Sequence, residues 1–173
     1  MSDYRIIQPE EIGDNVFKLI GADWMLVTAG NMESFNMMTA SWGGFGVLWN
    51  KNVCFIFIRP TRYTYGFIEK SNTFTLSFFD PKYKPVLNLC GTKSGRDCDK
   101  IKETGISPAE TKSGSIYFTE ARLVIECRKI YYQDLLPANF LDPGIAANYP
   151  EKDYHRMYAG EIISGFYSVA ERI

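Results

Sequence analysis

The stretch "FIFIRPTRYTYGFIEK", residues 55–70, joins an apolar run to an amphipathic one, and it predicts where a strand ends and a helix begins. It continues the run "VCFIFI" (residues 53–58), whose β-branched and aromatic composition predicts a strand buried on both faces. Pro60 cannot donate to a sheet and favours an extended Arg59, so the strand should end there. "RYTYGFIEK" (residues 62–70) then predicts a short helix.

Two arginines and two threonines occupy the six residues between this strand and this helix. A helix N-terminus exposes free amides and the positive end of the helix dipole, which favour an anion. The hydroxyls of Thr61 and Thr64 and the guanidiniums of Arg59 and Arg62 are donors suited to phosphate. The alternative is that Thr61 only caps the helix while the arginines are solvated. Arg62, nearer the helix start, is the preferred phosphate contact.

The rest of the chain is dominated by strand patterns. Strands are predicted at residues 24–29, 35–42, 73–79 and 121–135, with a closing strand after His155. Residues 81–105 predict one or two short helices, and residues 137–153 form an irregular excursion with three prolines. No β-α-β rhythm appears, which argues against a doubly wound parallel sheet. A mainly β protein is expected, a closed or nearly closed antiparallel barrel with short helical insertions.

Composition sets limits on partners and location. The 173 residues predict one domain (residues 1–173), with residues 1–20 as an N-terminal extension. The net charge of -1 offers no broad basic face, so no nucleic acid is expected. No run is long enough for a membrane span, and the polar N-terminus lacks a signal peptide, so a cytoplasmic location is expected.

The cysteines and the single histidine limit the metal chemistry. The four cysteines form no CxxC pair, which favours reduced, buried thiols and leaves a disulfide or metal site as the minor alternative. One histidine, His155, excludes a zinc site with several His ligands and a two-His iron site within one chain. No metal site is therefore predicted.

Three further segments could contact a ligand. Small residues end the strand before three closely spaced glycines, which suits a flat ligand or, alternatively, a bulged strand and tight turn; they are Thr39, Ala40 and Ser41. The turn "KSGR" (residues 93–96) could reach the same anion as Arg62 or be a solvated turn between helices. His155, between two tyrosines, could donate to a ligand carbonyl, assist proton transfer, or serve only as a hydrogen-bonded residue at the barrel rim.

Taken in order, these segments resemble the flavin reductase-like family with the FMN-binding split-barrel fold, and within it the flavoredoxin branch. The resemblance covers most of the chain from residue 24 onward. The segments that carry it are "MTASW" (38–42), "IFIRPTRYTYGFIEK" (56–70), "FTLSFF" (74–79), "CGTKSGRDCDK" (90–100) and "YHRMYAGEI" (154–162).

The resemblance implies a homodimer with FMN, or FAD, bound near the dimer interface. It implies that the nicotinamide of NAD(P)H stacks on the flavin, so the absence of a Rossmann motif does not argue against NAD(P)H. It also implies a set of site residues. The ring is lined by Thr39, Ala40, Ser41 and Trp42; the phosphate is gripped by Arg59, Arg62, Tyr63 and Thr64; the turn at Lys93, Ser94 and Gly95 closes over the phosphate end; and His155 is the catalytic residue near the ring. Arg59 could instead face the ribityl chain or the partner subunit.

Three functions remain open from the sequence. The first is an oxidoreductase that passes hydride or electrons from NAD(P)H through bound flavin to a flavin, metal-chelate, quinone-like or protein acceptor. The second is a flavoredoxin-like electron carrier that a redox protein partner reduces. The third, and weakest, is a non-redox or haem-binding barrel in which His155 is an axial ligand.

Overall fold

Ten strands and four short helices carry the fold, which a computed structural model describes for residues 4–169. The strands are β1 (Tyr4–Ile7), β2 (Met25–Asn31), β3 (Ser34–Ala40), β4 (Gly43–Leu48), β5 (Lys51–Ile58), β6 (Thr73–Phe78), β7 (Pro108–Glu110), β8 (Ile116–Phe118), β9 (Leu123–Asp134) and β10 (Arg156–Ser168). The helices are α1 (Val16–Lys18), which continues into a wider turn over Leu19–Asp23, α2 (Tyr63–Lys70), α3 (Lys84–Thr92) and α4 (Lys100–Thr104). Short 3₁₀ segments lie at Pro9–Glu11, Pro81–Tyr83, Pro137–Asn139 and Pro143–Asn148.

The large sheet is antiparallel at every pairing and runs in the order β3-β2-β6-β9-β10-β5-β4, with β1 added to β10. The strands at its two ends, β3 and β4, follow each other in the chain but do not pair within residues 4–169, so the barrel is split there. A separate hairpin of β7 and β8 covers one side. The predicted antiparallel split β-barrel with short helical insertions is confirmed.

Two apolar clusters hold the barrel and its insertions together. Alternate residues of the strands point inward and fill the barrel, among them Met25, Val27, Ile56, Phe74 and Leu123. The opposite sheet face packs under α3 and the β7–β8 hairpin in a second cluster, which includes Leu26, Met37, Leu87, Cys90 and Val124. Each such buried side chain stabilises the fold by about 1.5–3 kcal/mol. This packing places the C-terminal end of α3 beside β3.

The barrel interior contains a pair of free thiols. Gly160 on β10 lies opposite Cys54 on β5, and the Sγ atoms of Cys54 and Cys127 approach to 3.2 Å. A Cβ on Gly160 would lie 2.6 Å from the Phe74 ring and 2.8 Å from Cys127, so glycine is required there. Because β10 lies between the two strands, two strand spacings of about 4.8 Å would put the Cα atoms roughly 9 Å apart, beyond the roughly 7 Å limit of a disulfide. The prediction that Cys54 and Cys127 are buried is confirmed.

Several sequence expectations differ from the structure. The glycine-rich segment forms a regular strand, β4, and not a bulge, because its backbone pairs fully with β5. Strand β5 is not buried on both faces, since Phe55 and Phe57 are partly exposed. In β9, the charged Glu126 is buried, because Thr111 and Ser113 donate to its carboxylate at 2.7 Å. Among residues 4–169, no helix is long and apolar enough to cross a membrane.

Candidate functional site

The site begins where β5 ends and α2 starts. The N–H of Arg62 donates to the Arg59 carbonyl at 3.0 Å, which closes a turn over Pro60. Arg62 is the extended residue that precedes α2, and no side chain caps this helix. The hydroxyl of Thr61 instead donates to the Asp153 carboxylate at 3.3 Å. The alternative in which Thr61 caps the helix is therefore wrong, because the start of α2 lies one residue later.

The start of α2 and the turn after α3 form the walls of one cavity of about 150 Å³. This volume is below the roughly 300–1,000 Å³ of a pocket for a whole small molecule, so it suits a fragment such as a phosphate group. Six residues that the sequence predicted line it together, namely Arg62, Tyr63, Thr64, Lys93, Ser94 and Gly95. Thr61 and Arg96, which the sequence also offered as phosphate donors, line it too. Four lining residues were not predicted, namely Asn36, Met38, Thr92 and Lys100.

Two neighbouring cations give this cavity its charge. Arg62 donates to the carbonyls of Gly91 (2.8 Å) and Cys90 (3.3 Å), and the buried Lys100 ammonium donates to those of Met37 (2.8 Å) and Cys90 (3.1 Å). Within residues 4–169, neither cation has a carboxylate at ion-pair distance. Burial lowers the pKa of both side chains, and the positive charge of Arg59 lowers that of Arg62 further. Two desolvated cations without a counter-ion favour a bound anion.

The turn over residues 93–96 approaches β3 and α2 very closely. A Cβ on Gly95 would lie 2.2 Å from Oδ1 of Asn36 and 3.1 Å from the Tyr63 ring, so only glycine fits. The same Asn36 side chain donates to the buried Thr64 hydroxyl at 2.7 Å. The Arg96 guanidinium lies 4.8 Å from the centre of the Tyr63 ring. These contacts lock the turn against the helix start, which keeps the cavity in shape.

Lys93 and Ser94 occupy the rim of the cavity. The Lys93 ammonium is 2.8 Å from Glu103, and 54% of its side chain is exposed. The Ser94 hydroxyl accepts from the N–H of Arg96 at 3.2 Å. Lys93 therefore carries a largely neutralised, solvated charge, in contrast to Arg62.

A second cluster surrounds the only histidine. The rings of Trp42 and His155 lie 4.9 Å apart, and Nδ1 of His155 is 2.8 Å from the Tyr149 hydroxyl. Arg59 belongs to this cluster and not to the cavity, because its guanidinium donates to Asp153 at 2.7 Å and lies 5.1 Å from the Tyr149 ring. Burial and the positive charge of Arg59 lower the pKa of His155 to about 4, so the imidazole is neutral at pH 7.

Residues 38–42 connect the cavity with this cluster. Met38 lines the cavity and Trp42 contacts His155, so the two ends are at most about 14 Å apart along the chain. Between them, the Thr39 hydroxyl donates to the Leu87 carbonyl at 2.5 Å, Ala40 is buried and Ser41 is partly exposed. Because the Thr39 side chain is hydrogen-bonded to α3, mainly backbone groups of residues 38–42 are available to a ligand between the cavity and His155.

An open groove of about 720 Å³ adjoins the cavity and shares Arg62, Tyr63 and Arg96 with it. Its lining also includes Lys70 and Tyr65, and no carboxylate of residues 4–169 is part of that lining. The groove therefore extends the positive character of the cavity along the outer side of α2. Among residues 4–169, no three Cys, His, Asp or Glu side chains cluster as metal ligands would.

Comparisons with known proteins agree with this fold. The family model of the flavin reductase like domain matches residues 17–165. A search of curated proteins finds no significant match.

Solved structures of other proteins are similar to this fold. The FMN-binding protein from Thermus thermophilus with bound p-hydroxybenzaldehyde has a TM-score of 0.69 at 17% identity, over 96% of this chain and 83% of that chain. Flavoredoxin from Methanosarcina acetivorans has a TM-score of 0.68 at 20% identity, over 96% and 78% of the two chains. The 2-nitrobenzoate 2-nitroreductase of Pseudomonas fluorescens has a TM-score of 0.64 at 16% identity, over 87% and 69%.

Proposed function

The chain belongs to the flavin reductase like domain family, and from that premise we propose that it is an FMN-binding oxidoreductase. One observation carries the proposal. The half-buried Arg62 and the buried Lys100 share the Cys90 carbonyl, line one small cavity and have no carboxylate partner within residues 4–169. A phosphate monoester is a dianion of suitable size for such a cavity, and FMN ends in one.

The proposed phosphate contacts come from both walls of the cavity. Arg62 and Lys100 supply the charge, and the first turn of α2 supplies the positive end of an eight-residue helix. Thr64 accepts a hydrogen bond from Asn36, which leaves its own O–H proton to donate into the cavity. Ser94 and Lys93 would close the rim.

The ring would lie along the path from the cavity towards Trp42 and His155. Thr39, Ala40 and Ser41 would offer backbone groups to its edge, because the Thr39 hydroxyl already donates to Leu87. Flavin supplies hydride and single-electron chemistry that no standard side chain has. The protein would orient the ring and exclude water from part of it.

The proposal also concerns the source of the electrons that reduce the flavin. NAD(P)H is the proposed donor, because the cationic groove beside the cavity suits the phosphates of a dinucleotide. A flavoredoxin-like carrier that a redox protein reduces is the second candidate, since a flavoredoxin is among the similar structures. A homodimer with the flavin near its interface is proposed for both. The unpaired cysteines suit a reducing compartment such as the cytoplasm.

The test starts from the purified chain and its spectrum. FMN should bind, as the purified protein or after reconstitution, more tightly than riboflavin. Stopped-flow mixing with NADH, with NADPH and with reduced ferredoxin then separates the two candidates. Bleaching of the flavin by a nicotinamide supports the oxidoreductase, and bleaching only by ferredoxin supports the carrier. A colourless protein that cannot be reconstituted with FMN or FAD would refute both.

A further inference from the structure

His155 is held from one side by a second aromatic residue that the sequence did not single out. The Tyr149 hydroxyl lies 2.8 Å from Nδ1, and both side chains are buried, with 5% of Tyr149 and 8% of His155 exposed. The His155 carbonyl accepts from the N–H of Leu135 at 3.0 Å, which fixes the backbone. Because Nδ1 already has this partner, Nε2 is the ring nitrogen that can form a hydrogen bond with a ligand.

The direction of this hydrogen bond follows from the chemistry of the two groups. A phenol is a better donor than acceptor, whereas the unprotonated nitrogen of a neutral imidazole is a good acceptor. Burial raises the pKa of Tyr149, and the Arg59 guanidinium, 5.1 Å from the ring, only partly offsets this, so the phenol keeps its proton and can donate it. The Tyr149 O–H therefore donates to Nδ1, and the imidazole proton resides on Nε2.

The charged groups around His155 support a neutral ring. Arg59 and Arg62 disfavour a second positive charge, and they outweigh Asp153, which is itself paired with Arg59 at 2.7 Å. Burial is the largest cause, and together these effects lower the pKa of His155 to about 4. A neutral histidine cannot act as a proton-donating acid at pH 7 in the way an imidazolium does, but its N–H can donate a hydrogen bond.

We infer that Tyr149 is a positioning residue, which fixes His155 as the Nε2–H tautomer so that His155 donates a hydrogen bond to a carbonyl oxygen of the bound flavin or nicotinamide. This inference rests on the proposed function, because it places that ligand beside His155. Arg59 supports the arrangement through Asp153 and the Asn148 carbonyl (2.8 Å), which hold the segment that carries Tyr149.

The single histidine makes the tautomer directly measurable. Protein without a histidine tag and labelled with ¹⁵N-histidine gives one imidazole spin system. At pH 7 the wild-type protein should show a protonated Nε2 and an unprotonated Nδ1. In Tyr149→Phe, which removes one oxygen, part of the protein should carry the His155 proton on Nδ1. The pKa of His155 should rise by up to about one unit. Tyr154→Phe is the matched control, because Tyr154 packs 5.0 Å from Tyr149 and makes no hydrogen bond to His155.

Kinetics test the consequence. In Tyr149→Phe, the rate constant for reduction of bound FMN by NAD(P)H should fall roughly 3- to 10-fold. FMN affinity should change by less than about 2-fold, because the phosphate cavity is untouched. Tyr154→Phe should leave both values unchanged.

Each outcome decides one step. A wild-type Nδ1–H tautomer, or an unchanged tautomer in Tyr149→Phe, would overturn the role of Tyr149 without any variant needing to be active. A changed tautomer with unchanged reduction kinetics would overturn the link to the ligand. Failure of every nicotinamide to reduce the flavin would refute the proposed donor instead, and the tautomer spectrum would still decide whether Tyr149 fixes His155.

Discussion

Replacing Arg62 with methionine tests the charge of the cavity most directly. Methionine keeps the apolar stem but removes the guanidinium, which donates to Gly91 and Cys90. Loss of one charge-assisted hydrogen bond to phosphate costs about 1.5–3 kcal/mol, which corresponds to about 10- to 150-fold weaker FMN binding. Riboflavin lacks the phosphate, so its dissociation constant should change by less than about 2-fold.

The change also has a structural cost that must be separated from binding. The Cys90 carbonyl keeps the Lys100 ammonium, whereas the Gly91 carbonyl loses the guanidinium at 2.8 Å. The free energy of unfolding should therefore fall by about 1 kcal/mol, measured by denaturation without ligand. Lys93→Met is the matched control, because Lys93 lines the same cavity but is exposed and paired with Glu103. Because its charge is solvated and paired, removing it should change the FMN dissociation constant by less than about 2-fold.

Titration of flavin fluorescence against the apoprotein gives both dissociation constants for each variant. The quantity that matters is the ratio of FMN affinity to riboflavin affinity. Equal weakening of both ligands in Arg62→Met would show that Arg62 supports the fold and does not contact the phosphate. An equally large fall in this ratio in Lys93→Met would show that any positive side chain near the cavity favours FMN, and that Arg62 and Lys100 have no special role.

Three further predictions test other parts of the structure. Because the pKa of His155 is lowered to about 4, the unfolded state binds more protons below pH 6.5, so stability falls with falling pH. Between pH 7.5 and 4.5 the wild-type protein should lose about 2.5 kcal/mol more than His155→Gln in denaturant unfolding. Gly95→Ala should destabilise by about 1–3 kcal/mol and weaken FMN, because its Cβ would collide with Asn36. After mild oxidation, mass mapping should find no bond between Cys54 and Cys127.

Each of these has a specific contradicting result. Parallel pH curves for wild type and His155→Gln would mean that His155 titrates normally. Gly46→Ala is the control for Gly95, since nothing lies within 4 Å of its added Cβ, and equal losses would remove the steric argument. A Cys54–Cys127 disulfide would show that β5 and β9 move closer than their positions on either side of β10 allow.

The fold was predictable because its signals are local. Pro60 and the apolar run before it fixed the end of β5 and the start of α2, and the absence of a β-α-β rhythm excluded a parallel sheet. Two features had no local signal. Strand β1 pairs with β10 across most of the chain, and the polar Glu126 is buried only because the β7–β8 hairpin supplies hydroxyls to it.

The site was predictable in part for the same reason. The motifs "RPTRYT" and "TKSGR" predicted both walls of the cavity, since each is a short segment that contains hydrogen-bond donors suited to an anion. Lys100 and Asn36 were missed as ligand candidates because each looks ordinary in its own element. Their placement depends on α4 and β3 meeting over the end of α3, which no local pattern reports. The prediction that Arg59 contacts the phosphate did not take account of Asp153, which lies 94 residues away in the sequence and is the ion-pair partner of Arg59.

The contrast between the whole chain and this cavity indicates where the proposed selection of a dianion would arise in a nearly neutral protein. The net charge of -1 gives no long-range attraction for phosphate, so selectivity must come from burial. Arg62 and Lys100 lose hydration, gain only carbonyl partners and lie close enough to share one of them. A bound phosphate would offset that cost, whereas riboflavin would leave it in place. Discrimination between the two flavins is therefore the property by which this site should be judged.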